Sequence, residues 1–107
     1  MDKKTEAKVD DLIAGLWKKN LPSLLQRLDL IYRNAAEASS GALAEASRAE
    51  AHSISHILAG ILGMFGYPKG SEVASKMEHI LKEPTPDKLA TLATLATELR
   101  QSVAAGL

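Results

Sequence analysis

Along most of the chain apolar residues recur at intervals of three and four, the spacing that keeps one face of an α-helix apolar. Val9, Leu12, Ile13, Leu16 and Trp17 form the first such stripe and predict an amphipathic helix over about residues 5–19. Asn20-Leu21-Pro22 is expected to interrupt it, because proline disfavours helical backbone in the residue before it and is tolerated in the first turn of a new helix. A second helix then turns Leu24, Leu25, Leu28, Ile31 and Tyr32 toward a core and ends near Ser39-Ser40-Gly41, with Gly41 suited to a left-handed stop. The third runs from about Ala42 to Phe65. Gly66-Tyr67-Pro68-Lys69-Gly70 reads as a turn, after which Ser71 is expected to cap a fourth helix with Val73, Met77, Ile80 and Leu81 on its apolar face. Pro84-Thr85-Pro86 ends that helix, Thr85 capping the last one and Pro86 taking its first position. The run from Leu89 to Thr97 looks like a triplet repeat, but the step of four from Leu95 to Leu99 and then to Val103 returns the leucines to one side, as in a packed amphipathic helix. No strand pattern competes. The fold expected is all-α, an antiparallel four-helix bundle with the first helix as a cap.

The third helix carries the chain's most informative pattern. In His56-Ile57-Leu58-Ala59-Gly60-Ile61-Leu62-Gly63-Met64-Phe65-Gly66, glycines follow the histidine by four, seven and ten residues. At about 100° per residue, His56, Gly60 and Gly63 fall within roughly 40° of one line, while the bulky apolar residues occupy the remaining side. Glycine inside a helix costs about 1 kcal/mol relative to alanine, so two of them beneath a histidine require a reason other than helix stability. Access to the imidazole is that reason. His52 lies one turn earlier on the same face, but four residues after it stands His56 rather than glycine, so the register selects His56. His79, beside Glu78, reads as an ordinary surface histidine.

This spacing resembles that of the histidine-containing phosphotransfer domain of bacterial phosphorelays, whose motif has a histidine, an apolar residue two later and glycines at these offsets. The resemblance continues through Phe65-Gly66 and through Ala74-x-x-Met77-Glu78, where that family commonly shows Ala-x-x-Leu-Glu. Upstream, Leu16-Trp17, Leu21-Pro22 and Leu28 are similar to the opening of such domains when they are attached to response regulators, so nearly the whole chain is covered. One departure is Ala59, which stands where many members carry a lysine that approaches the phosphate. The resemblance implies that His56 accepts a phosphoryl group, with Gly60, Gly63, Ala59 and His52 around it. The group would travel between a receiver-domain aspartate of a histidine kinase or hybrid kinase and a response regulator. The domain would have no autokinase activity and no cofactor of its own, the magnesium being supplied by the partner receiver.

Composition narrows the alternatives. The 107 residues fit one domain, 1–107, with a single core, and thirteen basic residues balance thirteen acidic ones. Four aromatic residues and no basic run leave no base-stacking platform, so no nucleic acid is expected. The absence of cysteine excludes disulfides and thiolate chemistry, and no apolar run is long enough to span a bilayer; a cytoplasmic monomer with no membrane partner is expected. No carboxylate cluster suggests a magnesium site, and the Gly66–Gly70 turn lacks the Lys-Ser/Thr ending of a nucleotide loop. Near the histidine, Ala49 and Ala59 stay small and Ile57 and Leu62 flank the face, an apolar patch suited to a modest transient interface, with Arg48, Lys69 and Lys76 as candidate positive charges. Two alternatives stay open: a metal-binding bundle using His52 and His56 at i, i+4 with Glu45 or His79, and a module that docks on receivers without being phosphorylated. For the first, Ser53 occupies the position where the zincin signature has its glutamate, and the glycines are left unexplained.

Overall fold

A computed structural model describes the backbone from residue 3 to residue 107 and the side chains from residue 5. Among the described residues all regular structure is helical: α1 (Lys3–Ser39), α2 (Glu45–Met64), α3 (Pro68–Lys82), the single turn α4 (Pro86–Leu89) and α5 (Leu92–Val103), which closes in a 3-10 turn over Ala104–Gly106. The four long helices form a closed ring in which α2 packs on α1 and α3, and α5 packs on α3 and α1. Each contributes a row at helical spacing: Leu24, Leu28 and Ile31 from α1, Ile54, Leu58 and Leu62 from α2, Val73, Met77 and Leu81 from α3, and Leu92, Leu99 and Val103 from α5, all buried. Full burial of a leucine stabilises by about 1.5–3 kcal/mol, so these rows decide the fold.

Two glycines terminate helices by the same device. Gly41 (φ 76°) and Gly66 (φ 84°) are the only positive-φ positions among the described residues. At each, the glycine N–H and the next residue's N–H bond back to the last turn: Gly41 to Ala38 and Ala42 to Glu37, Gly66 to Gly63 and Tyr67 to Leu62. This Schellman pairing needs left-handed backbone, which explains Gly41 as the expected stop and gives Gly66 of the histidine motif a purely architectural role.

The structure departs from the sequence expectations in several places. Pro22 does not divide two helices; it lies inside α1, so the expected cap is the first half of a 37-residue helix. An interior proline costs about 3 kcal/mol in helix propensity, and tertiary contacts on both sides of it override that cost. Leu24, Leu28 and Ile31 are buried after it. Before it, the Trp17 indole N–H donates to the Gly106 carbonyl at 2.9 Å, with the ring stacked on Tyr67 and edge-on to Phe65. Pro22 itself faces solvent, where water can satisfy the carbonyl it frees. The long helix makes the molecule elongated, 52 × 22 × 20 Å.

Further differences are local. Tyr32 is exposed rather than in the core, as are Val9, Leu12, Ile13 and Leu16. The helix bearing the histidine starts at Glu45 rather than Ala42. Ser71 does not cap α3; Tyr67 and Pro68 occupy the start, because the chain re-enters helix directly from the Gly66 turn. Thr85 does cap, accepting from the Lys88 N–H, but the helix it opens stops after one turn and restarts at Leu92. At that break the Thr91 hydroxyl donates to the Lys88 carbonyl at 2.6 Å.

Candidate functional site

α2 has two unlike faces. Ala51, Ile54, Leu58 and Leu62 are buried, together with Ser55, whose hydroxyl donates to the Ala51 carbonyl at 2.8 Å. The opposite face exposes Ala49, Ser53, His56, Ile57, Gly60, Gly63 and Met64.

The His56 side chain is 73% exposed, and its Nδ1 lies 2.8 Å from Oε1 of Glu78 on α3. An ionised carboxylate only accepts, so in the neutral imidazole this contact selects the tautomer with the proton on Nδ1 and the lone pair on Nε2. Ala74, Met77 and Leu81, all buried at spacings of three and four, hold α3 against α2 and so set the position of Glu78. His52 stands one turn earlier with Nε2 4.0 Å from the same Glu78 oxygen, too far for a hydrogen bond. That nitrogen is shielded from solvent and has no hydrogen-bond partner.

The glycines divide by role. A Cβ built on Gly60 meets nothing within 4 Å, so this position, one turn from His56, opens onto free space. A Cβ on Gly63 would lie 3.3 Å from the Ser71 hydroxyl oxygen, tighter than ordinary contact. That hydroxyl donates across the helix pair to the Ala59 carbonyl at 2.7 Å. Gly63 therefore serves the approach of α3 to α2, and Ser71, expected as a cap, is a cross-helix tie.

Other expected neighbours are placed differently. Leu62 is fully buried and does not flank the histidine; Met64, 68% exposed, joins Ile57 on the open face. Ala59 is half-buried against the core. Arg48 is committed to Glu45 and to the Leu81 carbonyl, which its Nη1 reaches at 2.6 Å. Their hydrogen bond holds the Glu45 carboxyl below and the Arg48 guanidinium above their usual ranges. Lys76 pairs with Glu72 at 3.6 Å. Lys69 is exposed. His79 lines an open cavity of about 500 Å³ with Lys76, Lys82, Lys88 and Leu95, apart from His52 and His56. Among the described residues no group of three or more histidine or carboxylate side chains is arranged so that it could hold a metal ion. Glu78 is the residue that sequence reasoning left without a role. Its only sequence signal is membership of Ala74-x-x-Met77-Glu78, because a partner 22 residues from His56 becomes visible only once α2 and α3 are in register.

Residues 13–104 match the Hpt domain family, and the chain belongs to that family of histidine phosphotransfer domains. No curated protein and no solved structure gives a significant match. Membership establishes phosphorelay phosphotransfer as the general activity and receiver domains and histidine kinases as the general partners. Among the described residues, no helix is long and apolar enough to cross a membrane.

Proposed function

We propose that His56 is the phospho-acceptor, carrying a phosphoryl group from the receiver aspartate of a histidine kinase or hybrid kinase to a response regulator. The observation that carries this reading is the His56–Glu78 hydrogen bond on an otherwise exposed imidazole, 2.8 Å at Nδ1. It leaves Nε2 as the nucleophile. Nε2 attacks the phosphorus of the receiver's aspartyl phosphate in line; the N–P bond forms as the P–O bond to aspartate breaks, and the aspartate leaves as carboxylate. The imidazole becomes cationic in this step, and the Glu78 carboxylate offsets that charge through Nδ1–H. Transfer to the next receiver is the reverse reaction on another aspartate. Magnesium on the receiver neutralises the transferring oxygens, while this domain contributes the nucleophile and an open approach over Gly60. Ile57 and Met64 supply apolar surface beside it.

The test is incubation of the chain with a receiver phosphorylated on aspartate. The expected result is acid-labile, base-stable radiolabel on the native chain and on His52→Gln, and none on His56→Gln. Label persisting on His56→Gln would overturn the assignment, and a native chain that binds receiver without taking label would favour docking alone. ATP with magnesium should not label the isolated chain.

A further inference from the structure

His52 takes no part in the transfer step described above, yet it faces the same carboxylate. Its Nε2 is shielded from solvent without a hydrogen-bond partner and stands 4.0 Å from Oε1 of Glu78, the oxygen that lies 2.8 Å from Nδ1 of His56. One carboxylate oxygen is therefore set between two imidazoles that occupy successive turns of α2, about 40° apart around its axis. The three side chains differ in exposure: 73% for His56, 32% for His52 and 23% for Glu78. His56 faces solvent, whereas His52 and Glu78 meet where α2 packs on α3.

The chemistry of that contact fixes the state of His52. A neutral imidazole has one N–H and one lone pair. A lone pair turned toward a carboxylate oxygen is repelled and an N–H is attracted, so in the neutral ring Nε2 of His52 carries the proton, the opposite tautomer to that of His56. A shielded N–H without an acceptor costs free energy, and Glu78 is within reach: a swing of about 1 Å in its flexible side chain brings an oxygen to hydrogen-bond distance. A carboxylate has room for several donors, so Glu78 can accept from His52 without releasing His56. Arg48, one turn before His52, is already committed to Glu45 and to the Leu81 carbonyl.

We infer that His52 is a positioning residue for phosphotransfer: its Nε2–H tethers the Glu78 carboxylate and keeps an oxygen on Nδ1 of His56. The inference rests on His56 as the acceptor. Glu78 offsets the imidazolium only while it stays in place, and a carboxylate held by a single contact to an exposed ring is free to turn toward water. A second donor on the shielded side removes much of that freedom, so the negative charge is in position before the phosphorus arrives. The two imidazoles then have distinct duties. His56 forms the N–P bond, and His52 touches neither phosphorus nor receiver.

Single-turnover transfer from a receiver phosphorylated on aspartate tests this with two replacements at one position. The receiver is saturating and the pH about 8, above the range in which a free imidazole ionises. Leucine is of similar size to histidine but has no donor, whereas the glutamine amide keeps an N–H. His52→Leu should slow transfer about fivefold and His52→Gln should stay within about twofold of native, both with near-native helical circular dichroism. Nitrogen NMR of the imidazoles gives a readout that packing alone does not move: the Nδ1–H tautomer of His56 should lose population in His52→Leu and keep it in His52→Gln. In a Glu78→Gln background, adding His52→Leu should change the rate by less than about twofold, because the charge that the tether positions is gone. Native transfer by His52→Leu overturns the inference, as does equal slowing in both variants, the mark of a side chain that only packs. The full fivefold loss in the Glu78→Gln background overturns it too. The native spectrum decides even where a variant does not fold, since a neutral His52 with its proton on Nδ1 overturns the tether. Label persisting on His56→Gln would instead overturn the acceptor, so the two failures are distinct.

Discussion

Gly60 and Gly63 sit three residues apart on the same exposed side of α2 and do opposite things. Around Gly60 the missing side chain leaves a void that belongs to solvent; around Gly63 it leaves a gap that Ser71 of α3 fills. The first opens an approach and the second closes a helix pair, so one residue type repeated in one motif records two unrelated pressures, one functional and one architectural.

Gly60→Leu separates them most sharply. The position faces open space, so leucine, the better helix former by several tenths of a kcal/mol or more, should hold or raise the melting temperature. Transfer from a phosphorylated receiver should fall about a hundredfold, because a side chain beside His56 holds the phosphorus about 1 Å from its productive position. A variant that unfolds would show that Gly60 too is a packing residue. Gly63→Leu should do the reverse: a loss of about 1–3 kcal/mol in denaturant unfolding, from overpacking against Ser71, with transfer by the folded fraction close to native. Equal stability in the two leucine variants would erase the distinction.

Glu78→Gln tests the other side of the histidine. Glutamine can still accept from Nδ1 but brings no negative charge to offset the imidazolium, so transfer should slow about tenfold with stability within about 0.5 kcal/mol of native. An unchanged rate would mean that Glu78 merely neighbours the imidazole. Gly60→Ala is the smallest perturbation. It should stabilise by about 1 kcal/mol and leave the rate within a factor of about two, since a methyl group does not reach the imidazole's approach.

The four buried rows were legible because their spacing of three and four is set by the helix itself. Gly41 and the Thr85-Pro86 start were legible because left-handed stops and first-turn prolines are local devices. Pro22 misled because its local penalty is real but smaller than the contacts of Trp17 on one side and Leu24 on the other. The break after Leu89 was masked by leucines that keep their spacing across it. His56 stood out through the glycines, whereas the pairing with Glu78 depends on how α2 and α3 are placed against each other, which no local pattern encodes. For the same reason Gly60 and Gly63 looked alike in sequence: Ser71 tells them apart, and Ser71 reaches α2 only in the folded bundle.

Trp17 has a practical consequence. It is the chain's sole tryptophan, and its indole is bonded to the Gly106 carbonyl and stacked on Tyr67. Its emission is therefore a local gauge of the place where the first helix, the α2–α3 turn and the final 3-10 turn meet. An unfolding curve followed by that fluorescence reads this end of the bundle, whereas circular dichroism averages over all the helices. Coincident curves would show that the end melts with the whole, and an earlier fluorescence transition would show that it lets go first.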